Sequence, residues 1–399
     1  MKTRIAITGM GIISSIGNNV EENYRSLISS RHGISEIELL ETNRRGTVKL
    51  GEIKISNEDL VKELEIPENN NFPRSTLLGI KAAREAVQHA GIDDINEFRT
   101  GLISSTSVGG MDITEKYFFS YEDHPDKQKY ISAHDAGHSS TSIAEMLGLK
   151  GMVSTISTAC SSAANAIMMG AKLITSGVLD RVIVGGTDAL SKFTLNGFST
   201  LMIVTDTYNT PFDENRKGLN LGEAAAFLVL ESDETVQKQN KKVLAYLTGF
   251  ANANDAHHQT ASSDDGTGAY LAMKNAFEIS AVDKSDIDYI NVHGTATPNN
   301  DLSEGTAMIR IFGENNVPDF SSTKAFTGHT LAAAAAIEAV YSILAIQNGV
   351  IFPNLNFKTK MKEFDLTPIT EVKHKEINHV LSNSFGFGGN CSTLIFSKS

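Results

Sequence analysis

The sequence holds 399 residues, 41% of them hydrophobic, with 32 glycines, no tryptophan and a formal net charge of −12. That length exceeds what one small core usually holds, so two domains or two closely packed halves are expected. Lys and Arg scattered through an acidic chain exclude a basic nucleic-acid face, and the glycine-rich composition points to α/β architecture with tight strand-to-helix turns.

The N-terminal run MKTRIAITGMGII is charged and then apolar, but Thr8, Gly9 and Gly11 break it. It reads as a first strand, Arg4 to Met10, and not as a cleaved leader. Two cysteines, Cys160 and Cys391, cannot make a disulfide framework. A cytoplasmic protein is expected, and no run reaches the roughly 18 uninterrupted apolar residues of a membrane span. Val20 to Ser29 has helical spacing, 33–71 is polar and irregular and reads as surface loop with short elements, and Arg74 to Ala90 is a helix closed by Gly91. Thr100 to Val108 is a buried-type strand, Ser139 to Leu147 is helical, and Val153 to Thr158 is the strand before Cys160. Arg181 to Gly185 and Ala224 to Glu231 are further strands, with Asn209 to Gly222 a loop between them.

The chain then starts again. Charged Ser232 to Lys242 precedes a strand, Val243 to Phe250, placed much as the first strand was. TACSSAANAIMMGAKLI in the first half has a counterpart in TGHTLAAAAAIEAVYSILAI, and LNLGEAAAFLVLES one in FGFGGNCSTLIFSKS. This self-similarity predicts duplicated α/β halves, 1–240 and 241–399.

Cys160 stands where a strand runs into an Ala-rich helix, and a thiol on the first turn of a helix has its thiolate favoured by unpaired N–H groups and the macrodipole. An arbitrary Cys among Ala and Met is more often a packing residue, so the reading depends on partners elsewhere. DYINVH delivers His293 at the end of a strand, ahead of a helix from about Leu302 to Phe312. SSTKAFTGHT carries Lys324 and His329 ahead of the helix containing Glu338, a candidate partner for a costly buried Lys. His329 at a helix N-terminus should have a lowered pKa and be neutral. In NSFGFGGN, Gly386, Gly388 and Gly389 permit positive φ and let N–H groups approach a ligand oxygen; a plain turn would look similar. Cys391 reads as a packing residue, and adjacent His257 and His258 are not spaced for metal ligation, so no metal site is expected. A nucleophilic Cys, two His and a glycine loop form a set for acyl transfer through a thioester, with a hydrolase triad the other reading.

On ITGMGIISSIG, STACSSA, PFDENRKG with LGEAAA, HGTATPNND, STKAFTGHTLAAA and NSFGFGGN, in that order, the chain resembles the β-ketoacyl-acyl carrier protein synthases of the elongating type. The resemblance implies a thiolase-like, five-layered α-β-α-β-α fold of two duplicated halves. It implies Cys160 as the acyl-accepting nucleophile, His293 and His329 as the decarboxylation pair, and Lys324 as the family's catalytic lysine before the second histidine, with Glu338 as its organiser. Backbone N–H groups of Cys160 and Phe387 would form the oxyanion hole, with Phe387 also a gate. Thr295 and Thr297 match positions bonding the pantetheine arm, and Val108 and Phe198 match positions lining the acyl pocket. No cofactor of its own is implied, since substrates ride on the phosphopantetheine of an acyl carrier protein. The implied assembly is a homodimer, or a heterodimer with a related subunit, without nucleic acid or membrane. The implied reaction is decarboxylative Claisen condensation of a malonyl group with the Cys-bound acyl chain, in fatty acid or in polyketide or aryl polyene synthesis. A thiolase and a non-catalytic, chain-length-factor-like subunit are the alternatives. The chain departs from the family at GGNCS, where Gly-Gly-Thr-Asn is usual, at RKGLNLGEAAA, and at ENNNFPRST, which lacks a basic docking stretch. Lys127 and Lys129 are candidate docking charges for an acidic carrier.

Overall fold

A computed structural model describes residues 4–399; Met1, Lys2 and Thr3 of the N-terminal run lie outside the described residues. Twelve strands occur among these residues: β1 (Ile5–Ser14), β2 (Thr100–Ser105), β3 (Val153–Ile156), β4 (Arg181–Asp188), β5 (Ala224–Ser232), β6 (Ala245–Asn254), β7 (Tyr289–Asn291), β8 (Asp319–Ser321), β9 (Val350–Ile351), β10 (Lys373–His374), β11 (His379–Gly386) and β12 (Asn390–Ser397). Ten form one sheet in the order β3-β2-β4-β5-β1-β6-β12-β11-β7-β8, while β9 and β10 pair separately. Each half of this order repeats the other, since β3-β2-β4-β5-β1 corresponds to β8-β7-β11-β12-β6. The directions repeat too: three parallel strands in each half, then two antiparallel ones. The halves meet where Ile5, Ala6 and Ile7 of β1 pair with Leu247, Tyr246 and Ala245 of β6.

Helices Ser162–Thr175 and Ala334–Asn348 lie between the two half-sheets, Arg74–His89 covers the outer face of the first, and Thr267–Ile279 that of the second. The result is the five-layered α-β-α-β-α arrangement, with one hydrophobic cluster between the half-sheets and one under each outer helix layer. Leu331–Asn348 is long and apolar enough to cross a membrane by length and composition, but 89% of it is buried inside the fold, as a central core helix.

Two local expectations are corrected. Gly9 and Gly11 do not end the first strand, which runs on to Ser14; a Cβ at either would strike the backbone of the Arg74–His89 helix, so they permit close helix-on-strand packing. The polar 33–71 segment, read as surface loop with short elements, does hold the short helix Asn57–Glu63, but it buries Leu50, Ile53, Leu60 and Glu52, so it is in part core and not surface.

Candidate active site

Cys160 follows β3 and a left-handed Ala159 (φ 51°), one residue before the Ser161 cap of helix Ser162–Thr175. It therefore precedes the helix instead of standing on its first turn. The Ser162 hydroxyl steadies this bend, accepting from the Thr158 N–H at 2.8 Å. Cys160 is buried, and its Sγ lies 3.0 Å from Nε2 of His329. Burial pushes the thiol up to about 12, against the opposing pull of Lys324 and of the N–H groups of Phe387 and Cys160 itself. The thiolate is thus not favoured at rest, contrary to the expectation from the helix dipole, because desolvation of a buried charge outweighs it.

His329 enters from the second half. Gly328, at φ 73°, turns the chain beyond the short helix Lys324–Thr327, and the His329 N–H donates to the Asn220 carbonyl at 2.7 Å. His293 leaves β7 in a loop whose N–H groups, those of His293 and Gly294, donate to Glu304 at 2.8 and 2.9 Å. The two imidazoles stand perpendicular, with centroids 5.4 Å apart. Burial foremost, and then Lys324, hold both well below the usual histidine range. His329 is neutral as expected, but for a different principal reason.

Lys324 is buried, and its Nζ donates to Glu338 Oε1 and to the carbonyl of His293, both at 2.5 Å. Burial raises the Glu338 carboxyl, and Lys324 opposes that rise. The lysine therefore sets the backbone position of one histidine while lending positive charge to the cavity around both.

The oxyanion loop occupies Phe387–Gly389 between β11 and β12. Gly388 and Gly389 have φ of 80° and 77°, but Gly386 is extended at −121°. Gly386 is required for closeness: a Cβ there would lie 2.9 Å from the Thr158 carbonyl oxygen and 3.1 Å from the Cys160 nitrogen. This contact seats the loop against the Cys160 turn, and the N–H groups of Phe387 and Cys160 both act to lower the pKa of the buried thiol. The half-buried Phe387 ring stacks on Phe198, centroids 5.5 Å apart and 20° from parallel.

Thr295 and Thr297 hydrogen-bond each other at 2.9 Å beyond His293. Val108 is half-buried and follows Ser107, whose N–H and hydroxyl donate to Asp188. Asp188 also receives the Ala332 N–H at 2.9 Å, tying the Val108 loop to the segment after His329. Sequence reading missed Asp188, Glu304 and Asn383, whose amide donates to Glu304 at 3.1 Å. All are fully buried, and only their contacts across the fold reveal them.

Cys391 is buried away from this cluster, beside Gly268 and Asp255, and Lys127 and Lys129 are engaged by Asp126 and Asn69. Among the described residues, no group of three or more His, Cys, Asp and Glu is placed to hold a metal. A separate groove of about 610 Å³ opens on the first half beside Phe72, Tyr117 and Tyr130; of its buried charges, Arg74 pairs with Glu223 at 2.8 Å and Glu52 with Lys54 at 2.7 Å.

A buried thiol against an imidazole, with a glycine loop packed on its turn at the junction of duplicated α/β halves, marks a thiolase-like acyl-transfer enzyme. Residues 2–235 match the beta-ketoacyl synthase N-terminal domain and residues 244–358 its C-terminal domain. The chain is 33% identical to a 3-oxoacyl-[acyl-carrier-protein] synthase 2 of Staphylococcus aureus, across 99% of this chain and 98% of that one. Among solved structures it is similar to the ishigamide ketosynthase/chain length factor, with a TM-score of 0.94, 29% identity and complete coverage of both chains. It is also similar to a chain of the AntDE:AntF (apo) structure, described as a type II PKS acyl-carrier protein in complex with its ketosynthase bound to the hexaketide, with a TM-score of 0.89, 25% identity and complete coverage of both chains. The chain belongs to the beta-ketoacyl synthase family, and is an acyltransferase of the condensing type.

Proposed function

We propose that Cys160 accepts an acyl group from a carrier protein and that His293 and His329 then drive decarboxylative condensation with a malonyl thioester. The observation that carries this reading is the 3.0 Å contact of Sγ with His329 Nε2, with His293 perpendicular beyond it. In the first step His329 takes the thiol proton as sulfur attacks the acyl carbonyl; the thioester bond to the carrier breaks, and the carrier thiol leaves with a proton. The N–H groups of Cys160 and Phe387 hold the oxyanion of that step. In the second, the malonyl C–C bond to the carboxylate breaks, carbon dioxide leaves, and the electron pair passes to an enolate oxygen held by the two imidazoles. The resulting carbon nucleophile attacks the Cys160 thioester, the carbon–sulfur bond breaks, and the expelled thiolate takes up a proton from solvent to restore the thiol. Neutral histidines, kept so by burial and Lys324, can donate N–H bonds to that enolate.

The carrier protein, as in the AntDE:AntF complex, is the proposed partner. A second thiolase-fold subunit is proposed to cover the half-buried edge strand β3 and the exposed Phe118, Phe119 and Ile131. Product chemistry in fatty acid, polyketide or aryl polyene synthesis follows from the acyl group loaded. Incubation with an acyl carrier protein panel, followed by intact mass of the Cys160 adduct, tests the reading. Cys160→Ala abolishes condensation, and Cys160→Gln leaves malonyl decarboxylation measurable; full condensing activity in the alanine variant would overturn the proposal.

A further inference from the structure

The loop that carries the Phe387 N–H belongs to the second half and is tied to its own half by three bonds: Gly388 N–H to the Gln259 carbonyl at 2.7 Å, Asp255 N–H to the Gly389 carbonyl at 2.8 Å, and the Asn254 amide to the Gly388 carbonyl at 2.9 Å. The Cys160 N–H belongs to a turn of the first half. Two donors on separate halves stabilise one oxyanion only if their spacing is fixed, and an error of about 1 Å is enough to cost a large factor in rate.

The hydrogen bonds that join this loop to the nucleophile turn converge on Asn390. Its Oδ1 lies 2.7 Å from the Ser161 hydroxyl, 2.9 Å from the Asn165 amide nitrogen and 2.7 Å from the Asn252 amide nitrogen. Ser161 is the residue after Cys160, and its single proton is shared between Asn390 and the Thr158 carbonyl, 2.8 Å away. Asn165, on the first turn of the nucleophile helix, also donates to Thr158 Oγ1 at 2.8 Å. One side-chain oxygen thus grips Ser161 and Asn165 after Cys160, through them reaches Thr158 before it, and through Asn252 engages strand β6.

We propose that Asn390 is a positioning residue, whose side-chain oxygen clamps the oxyanion loop to the nucleophile turn and sets the spacing of the Phe387 and Cys160 N–H groups. The inference rests on the functional reading above, in which those groups serve the acyl thioester while the histidines serve the malonyl group. It therefore predicts a division that general loosening of the fold does not produce. Steps through the Cys160 oxyanion slow, while alkylation of the same thiol, which forms no oxyanion, and decarboxylation, which uses the histidines, do not.

The test compares wild type with Asn390→Ala, Asn390→Asp, which keeps an acceptor oxygen, and Asn252→Ala, which removes one exposed donor and leaves the clamp partly formed. Three rates are measured: acylation of Cys160 from an acyl carrier protein thioester that loads the wild type, alkylation by iodoacetamide, and malonyl decarboxylation in a Cys160→Gln background. Asn390→Ala is expected to slow acylation about tenfold or more, with alkylation and decarboxylation within about twofold. Asn390→Asp recovers most of the acylation rate, and Asn252→Ala shows the same selective loss to a smaller degree. Unchanged acylation in both alanine variants overturns the clamp, as does a parallel fall of all three rates. A wild type that loads no acyl group overturns the functional reading itself, and the clamp with it.

Discussion

Lys324 and Glu338 form an ion pair with the lysine also bonded to the carbonyl of His293, so a single ammonium joins a core helix to the backbone of a candidate catalytic residue. Both side chains are almost wholly buried. A buried pair contributes little net stability while intact, but loss of one partner leaves an uncompensated charge. Lys324→Met is therefore expected to cost about 3–5 kcal/mol in urea unfolding, and Lys324→Met with Glu338→Gln to recover part of it. A single variant as stable as wild type would show that Glu338 is neutral in the native protein.

Gly386 and Gly388 separate two roles of glycine in one loop. Gly386→Ala is sterically blocked by the nucleophile turn, so it should destabilise by about 1–3 kcal/mol and slow Cys160 acylation about tenfold or more. Gly388→Ala meets nothing within 4 Å and pays only for a left-handed backbone, about 1–2 kcal/mol, with acylation near wild type. Thermal midpoints and loading rates, measured together, distinguish them.

The ring of Phe387, the residue whose N–H bears on the Cys160 thiol, stacks on Phe198. Phe198→Ala removes one ring and should widen the range of acyl groups found on Cys160 by intact mass, at the expense of selectivity. An unchanged adduct distribution would place the acyl chain elsewhere.

The pH dependence of Cys160 follows from its burial. A thiol pushed up to about 12, facing a histidine held well below its ordinary range, is a neutral pair and not a thiolate–imidazolium pair. The thiolate fraction then rises with pH up to the folded pKa, so iodoacetamide alkylation should climb about tenfold per pH unit from 7 to 9. A plateau between pH 6 and 8 would reveal the ion pair instead.

Much of the architecture was readable because duplication repeats its punctuation: small-residue helices after Cys160 and His329, and glycine loops before β5 and β12, recur in order. Cys160, His293, Lys324 and His329 could be singled out because each ends a strand or enters a loop of unusual composition, whereas Phe387 rested on the family resemblance. Asp188 and Glu304 could not, and Asn390 showed only as a departure from the usual loop motif. Each is an ordinary polar residue locally, and its role depends on a partner tens or hundreds of residues away, as with Asp188 and Ala332 or Asn390 and Ser161. The resting state of the thiol was misjudged for a related reason: the helix dipole is a sequence-local quantity, whereas desolvation is set by everything packed around the sulfur. Gly9 and Gly11 likewise read as strand breakers until the helix lying on them is seen.

The two half-sheets share only three residue pairs, Ile5 to Ile7 against Ala245 to Leu247. Cys160 stands on one side of that seam and His329 on the other, and elsewhere the halves are joined through the two central helices, whose small apolar side chains form one continuous cluster with both half-sheets. The sulfur–nitrogen contact is therefore held by the core more than by the sheet, so a change of side-chain volume in those helices is expected to be felt at the thiol.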